Sequence, residues 1–199
     1  MMKRSLRIIT ALITSAILAT SCGTVSFTGR KQILLFSDSE IASLSDQSYA
    51  EFMSSATISS NRTATQTLKN VGTKMVGALE KYMKEHDMES ALAGLKWEFQ
   101  LVNSQEVNAF CMPSGKIVFY EGILKYADSP DYIAVVMGHE MAHAIARHGN
   151  ERMSQQSVME LIGIVASEVI GAEKGEAFRP LPCPYAIRKW AQLRRSRYC

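Results

Sequence analysis

Apolar residues recur at helical spacing in the first half of the chain, and they predict two helices there. The first follows Ser37 to Glu40, a capping box, and should run to about Met53. The second covers residues 65–86, where one apolar face is repeated every three or four positions. That face consists of Leu68, Val71, Met75, Leu79, Tyr82 and Met83. We expect it to pack on the core of the protein.

A different period follows, because residues 97–102 alternate between apolar and polar side chains as a half-buried strand does. Residues 107–112 and 117–120 predict two further strands, with a turn signal at Pro113 to Lys116 between them. Together the elements predict an α+β domain, mostly helical, with a small antiparallel sheet. The free edge of such a sheet could hold an extended peptide, or the sheet could simply close the core.

A third helix should begin at Ser129 and Pro130, which provide an N-cap and a proline at the first helical position. Residues 132–138 are apolar on nearly every side, so this helix should be buried. Its end is predicted near Arg147 to Gly149, a basic last turn followed by glycine. The later apolar run, residues 158–170, is too short and too charged to span a membrane and predicts a further buried helix.

The N-terminus reads as an export signal covering residues 1–21. Three cations precede an apolar run from Ile8 to Ala19, which is too short to cross a bilayer comfortably. Small residues and then Cys22 follow, and this arrangement resembles a bacterial lipobox. By that resemblance Cys22 would carry the lipid and anchor the protein to a membrane surface. The alternative is an ordinary signal peptide with an incidental cysteine.

The rest of the chain has the composition of one globular domain, with 47% hydrophobic and 21% charged residues overall. We divide it into a lipid anchor and linker at 22–36, a main domain at 37–178 and a basic tail at 179–199. The formal charge of +3 is misleading, because the tail contains six cations and no acid. The main domain is acidic and has no clustered basic face, so we expect no nucleic-acid partner.

The most specific chemistry lies in the third helix, at His139, Glu140 and His143. Residues four apart stand one above the other on a helix, so the two histidines can bind one zinc ion. Glu140 then lies beside the metal, where it can act as a general base on a water without being a ligand. The alternative, two core histidines in a metal-free structural protein, leaves this spacing unexplained.

Several segments, taken together, resemble the gluzincin peptidases related to HtpX and BepA and, more distantly, the CAAX prenyl endopeptidases. They are residues 28–32, 107–110, 113–115, 122–124, 139–143 and 147–148. The resemblance implies a zincin-like domain with one Zn²⁺ per chain. It places Asn108, Ala109 and Phe110 at the substrate cleft. It also assigns the zinc to His139 and His143 and the general base to Glu140.

The third zinc ligand is predicted less directly. In the family it is a glutamate on a later helix, within a Glu-x-x-x-Asp or Glu-Ala-Asp segment that this chain lacks. Of the four acids after Glu151, we choose Glu168. His148 is rejected as a ligand, since nine residues past His139 is about 900° on a continuous helix and faces away from the metal. Its expected role is that of a cation at the helix end.

The tail contains three prolines and two cysteines besides its cations, a composition unlike the domain before it. A frameshift or early stop would explain both this change and the missing ligand segment. The alternative is a genuine basic tail attracted to anionic lipid.

These features predict a lipid-anchored zinc endopeptidase that cleaves unfolded or misassembled proteins of the cell envelope. The expected location is the periplasmic side, at the outer rather than the inner membrane. The alternative is a catalytically degenerate lipoprotein that binds or chaperones such clients through its sheet edge.

Overall fold

The structure is a computed structural model that describes residues 22–25, 27 and 29–170. Within it, the side chains of Cys22 and of residues 162–170 are not described. The predicted export signal and the basic tail lie outside the described residues.

The predicted helices are confirmed, with caps that explain where they begin. Helix α1 starts after Ser37, whose backbone N–H donates to Glu40 Oε2 at 2.8 Å in the expected capping box. Helix α3 starts after Ser129, whose hydroxyl accepts from the N–H of Tyr132, with proline at the first position. Within the described residues, the α-helices are α1 (Asp38–Ser55), α2 (Arg62–Glu85), α3 (Pro130–Ile145) and α4 (His148–Ile170).

The predicted α+β architecture is confirmed, and the three predicted strands before α3 form a sheet that is mixed rather than wholly antiparallel. Its strands are β3 (Glu98–Val102), β4 (Ala109–Cys111) and β5 (Lys116–Tyr120), in the order β3-β5-β4. The β4–β5 pair is antiparallel and the β3–β5 pair is parallel. A tight turn at Gly115, with φ of 92°, joins β4 to β5. The chain reverses direction between β3 and β4 and again between β4 and β5. Because β4 lies at the outer edge, β5 is the neighbour of β3, and these two strands run in the same direction.

The core lies between this sheet and helices α2 and α3. Leu68 and Met137 contribute from the two helices, and Leu101, Ile117 and Phe119 from the sheet, all with no exposed surface. The helix–sheet contact is close enough at Gly72 that a Cβ there would lie 2.5 Å from the Phe99 ring. Helix α3, which carries the HExxH motif, packs on the same core through Met137 and Met141.

Residues 22–36, which we expected to be a lipid anchor and linker, include regular secondary structure. They contain strands β1 (Cys22–Thr24) and β2 (Lys31–Ile33), paired antiparallel. Side chains of α4 attach this segment to the domain. Asn150 donates to the carbonyl of Phe36 at 2.8 Å, and Ser154 accepts from the N–H of Leu35 at 2.8 Å. These contacts satisfy main-chain groups that an isolated linker would leave to water.

Helix α4 begins ten residues earlier than its apolar run suggested. Its described part is also less buried than predicted, since Met159 is 50% exposed and Leu161 is 47% exposed. Among the residues that the structure describes, no helix is both long and apolar enough to cross a membrane.

Candidate active site

Helix α3 brings its two motif histidines together on one side. The Nε2 atoms of His139 and His143 are 3.1 Å apart. Two nitrogen ligands of a tetrahedral zinc, each at 2.0–2.1 Å from the metal, stand about 3.3 Å apart. The pair therefore fits two positions of a zinc site without rearrangement. His139 is exposed and His143 is half-buried, so the metal position opens to solvent on one side.

Glu140 lies behind this pair and is only 7% exposed. Burial raises the pKa of its carboxyl to about 7, and a hydrogen bond from the Cys111 backbone N–H acts in the opposite direction. A carboxyl with a pKa near neutrality can both accept and return a proton at physiological pH. The structure thus gives Glu140 the property that a general base and acid needs.

Strand β4 presents a free edge to the same site. The backbone carbonyl of Asn108 accepts a hydrogen bond from the N–H of Tyr120 at 3.1 Å. The backbone N–H of Met112 donates to the carbonyl of Lys116 at 2.8 Å. Because main-chain groups alternate along an antiparallel pair, those of Ala109 and Cys111 point away from β5. The Cys111 N–H reaches Glu140 in this way, while the N–H and C=O of Ala109 remain at the edge.

The strand edge and the histidines line one cleft of about 270 Å³. Asn108, Ala109 and Phe110, which the family resemblance placed at the substrate, all lie in its wall. The cleft is lined by Asn108, Ala109, Phe110, Cys111, Pro113, His139, Glu140, His143, Ala144, Arg147, His148, Gly149 and Arg152. The cleft thus combines the edge of β4, three residues of the HExxH motif and the start of α4.

His148 is placed differently from our expectation. Helix α3 ends at Ile145, and Arg147 adopts a left-handed conformation with φ of 56°, so the two helices are not continuous. This turn brings Nδ1 of His148 to 2.6 Å from Nδ1 of His143. His148 is therefore the first residue of α4, inside the cleft, rather than a cation at the end of α3.

Both of these histidines are held toward their neutral form. Burial, reinforced by the neighbouring charges of His139 and His148, lowers the pKa of His143 to about 4. Burial also lowers the pKa of His148, and the Glu151 carboxylate opposes that effect. Neutral imidazole is the form that binds a metal.

The prediction for Glu168 does not fit this arrangement. Helix α4 starts in the cleft at His148, and Glu168 lies twenty residues further along it. At 1.5 Å per residue the two backbones are about 30 Å apart, much further than a glutamate side chain reaches. Among the described side chains, no group of three or more His, Cys, Asp or Glu residues is placed to hold a metal. His139 and His143 are thus the two candidate zinc ligands in the described part of the site.

Sequence reasoning missed two contributors to the site. The Cys111 N–H is a main-chain donor, which no residue-type pattern can reveal. The reversal at Arg147 was also missed, because a left-handed residue at a helix end is usually glycine and Gly149 lay two positions further on. Gly149 has another reason to be glycine, since a Cβ there would lie 2.6 Å from Pro113 Cγ.

Comparison with known proteins agrees with the site. The family model described as Peptidase family M48 matches residues 73–182, more than half of the chain. Mitochondrial metalloendopeptidase OMA1 of Saccharomyces cerevisiae is 37% identical over 107 residues, covering 53% of this chain and 30% of its own length. The OMA1 of Arabidopsis thaliana is 38% identical over 91 residues, covering 46% of this chain and 19% of its own.

A bacterial relative is the Beta-barrel assembly-enhancing protease of Escherichia coli. It is 35% identical over 60 residues, which cover 30% of this chain and 12% of that protein. The chain thus spans less than a third of the length of each of these relatives. Peptidases of family M48 are generally zinc-dependent, and their zinc would fit the pair formed by His139 and His143. By its sequence match and its HExxH helix, this chain belongs to peptidase family M48.

Proposed function

We propose that this chain is a zinc-dependent endopeptidase of the cell envelope that hydrolyses unfolded or misassembled proteins. The observation that carries the proposal is the shared cleft, in which a free strand edge, a buried carboxyl and a histidine pair with ligand spacing converge. One zinc ion per chain is proposed, with His139 and His143 as ligands. The third ligand is proposed to come from outside the described side chains.

The chemistry divides between the metal and the protein. A zinc ion at the histidine pair would supply Lewis acidity, activating water and polarising the scissile carbonyl. Glu140 takes the proton from the attacking water and later returns it to the leaving amine. Its raised pKa suits both transfers, because neither protonation state is strongly favoured near neutral pH.

The strand edge favours an extended, unfolded substrate. A peptide paired with β4 would bond to the N–H and C=O of Ala109, as an added strand does. A segment whose backbone is already paired within its own fold cannot bond in this way, so an unfolded chain is favoured. Phe110 lies in the same cleft wall and forms an edge-to-face pair with Phe52 at 5.3 Å between ring centroids, so an apolar substrate side chain has a surface to contact.

The proposed location rests on the N-terminal sequence. Residues 1–21 would be removed as a signal peptide and Cys22 would be lipidated, which holds the enzyme at the periplasmic side of a membrane, preferably the outer one. The mature N-terminus tests this directly: mass spectrometry of the membrane fraction should find acylated Cys22, and Cys22→Ser should release the protein. A non-acylated N-terminus at another residue would contradict the anchor.

The peptidase activity is tested with one substrate in two states. A β-barrel membrane protein unfolded in urea and diluted should be cut, and the same protein folded in detergent should not. Cleavage should stop with 1,10-phenanthroline and return with added zinc.

A second candidate function is a client-binding module without catalysis. The observation that favours it is that the described side chains provide two candidate zinc ligands and not three. Such a module would show binding of the unfolded barrel that the chelator leaves unchanged, and no cleavage.

A further inference from the structure

The two nitrogens of the His143 ring face different partners. Nε2 lies 3.1 Å from Nε2 of His139, on the side proposed for the metal. Nδ1 lies 2.6 Å from Nδ1 of His148, on the opposite side of the ring. His143 therefore links the metal position to a residue in the next helix.

The contact between His143 and His148 is a hydrogen bond rather than half of a metal site. Two nitrogens on one tetrahedral zinc stand about 3.3 Å apart, and 2.6 Å is too close for that. In a hydrogen bond between two neutral imidazoles, one nitrogen carries the proton and the other accepts. Which ring donates decides where His143 keeps its lone pair.

We propose that His148 is a positioning residue, which accepts a hydrogen bond from Nδ1–H of His143 and so keeps the lone pair of His143 on Nε2, facing His139. The reverse assignment would place a proton on Nε2 and prevent it from binding zinc. The inference deepens the proposed function and rests on it, because it assigns a partner to one of the two proposed zinc ligands. Such hydrogen bonds fix the ring orientation and tautomer of metal-binding histidines.

The start of α4 is built to hold His148 in place. The left-handed turn at Arg147 sets the direction of the new helix, and the absent side chain of Gly149 lets it lie against Pro113. One turn further on, Glu151 accepts both 2.6 Å hydrogen bonds from the guanidinium of Arg30, which ties the first turn to the β1–β2 segment. These contacts hold the start of α4, and with it the backbone of His148, against the rest of the domain.

Zinc affinity tests the role in the loaded protein. His148→Leu should weaken Zn²⁺ binding by about 10- to 100-fold, measured by competition with a chromophoric chelator. His148→Asn should recover most of this loss, because its Oδ1 can occupy the position of the His148 Nδ1. The control is His86→Leu at a histidine on the far end of α2, which hydrogen-bonds the Tyr82 carbonyl and should leave the affinity unchanged. Unchanged affinity in His148→Leu would overturn the proposal.

The tautomer of His143 tests it without metal. In the zinc-free protein at pH 8, ¹⁵N NMR of the imidazoles should show the His143 proton on Nδ1, and His148→Leu should give a mixture of tautomers. A proton on Nε2 in the wild type would overturn the proposal, as would a metal-bound nitrogen shift on His148 after zinc addition. If the wild type binds no zinc, the proposed function fails, and the NMR result still decides the hydrogen bond.

Discussion

The backbone N–H of Cys111, on the edge strand β4, donates a hydrogen bond to the carboxylate of Glu140 on helix α3. This bond joins the element proposed to bind substrate to the group proposed to move the proton. Because β4 is short and lies at the sheet edge, its position relative to α3 depends on such contacts. A peptide added to β4 would then lie at a fixed distance from the base, which is the positioning that hydrolysis requires.

Replacing Glu140 tests its chemical role. Glu140→Gln keeps the shape and an acceptor for the Cys111 N–H but cannot take a proton. The rate of peptide cleavage should fall by at least about 100-fold, the lower end of what a general base contributes. Zinc content should be unchanged, because Glu140 is not proposed as a ligand. Glu89→Gln, at an exposed carboxylate in the turn after α2, is the matched control and should keep full activity.

The buried carboxyl of Glu140 should also make the free energy of unfolding of the zinc-free protein depend on pH, and Glu140→Gln tests this. The pKa of Glu140 rises from an ordinary 4.5 to about 7 on folding, so the folded state binds the proton more tightly. Proton binding by Glu140 therefore stabilises the folded wild type at low pH, and this stabilisation is lost as pH rises from 4.5 to 7. Glu140→Gln has no such proton, so its stability lacks this pH dependence. The variant should gain up to about 3 kcal/mol relative to wild type over this range, at 1.36 kcal/mol per pKa unit. Urea unfolding in chelator at several pH values measures the difference, and a constant difference would contradict the burial of the charge.

Arg147 tests the turn between α3 and α4. Both Arg147→Ala and Arg147→Gly remove the 2.8 Å ion pair with Asp38, so their difference isolates the backbone. Alanine is strained at a φ of 56° and glycine is not. Arg147→Ala should be less stable than Arg147→Gly by about 1 kcal/mol in urea unfolding. Equal stability would mean that the left-handed turn is absent in solution.

The Arg30–Glu151 pair predicts how the N-terminal segment is held. The hydrogen bonds from Arg30 are the main reason that the pKa of the Glu151 carboxyl lies below its ordinary value. The pair therefore stabilises the fold above the ordinary pKa and loses this effect as pH falls through the lowered one. Arg30→Gln should lower the urea midpoint at pH 7, and the difference from wild type should shrink in acid.

Lys81→Gln is the control for that experiment. It removes an exposed pair with Glu85 at 3.9 Å, which should contribute almost nothing. A midpoint shift in Arg30→Gln no larger than that of Lys81→Gln would show that the segment is not held by this contact.

Helices and their starts could be predicted from the sequence because their signals are local. The Ser37 capping box, the Ser129 cap with Pro130, and the apolar period of residues 65–86 depend only on residues within a few positions of one another. The same holds for the HExxH spacing, which one helix turn converts directly into the 3.1 Å approach of His139 and His143.

The parts that were missed depend on contacts distant in sequence. Strands β3 and β5 are parallel neighbours because β4 lies at the outer edge of the sheet and not between them. No local sequence pattern predicts that strand order. Residues 22–36 looked like a linker because the partners that order them, such as Asn150 and Glu151, lie more than 110 positions away. His148 was placed away from the site because a continuous helix was assumed, and the left-handed turn at Arg147 instead brings its ring to that of His143.

The zinc content of the purified protein tests the central claim most directly. Elemental analysis of residues 23–199 after dialysis should find close to one zinc per chain, and His139→Ala should lower it sharply. With one zinc bound, Glu173→Gln and Glu176→Gln become the next variants in the search for the third ligand. A zinc content near zero, together with no recovery of binding when Zn²⁺ is added, would contradict the account that this chain forms a catalytic zinc site.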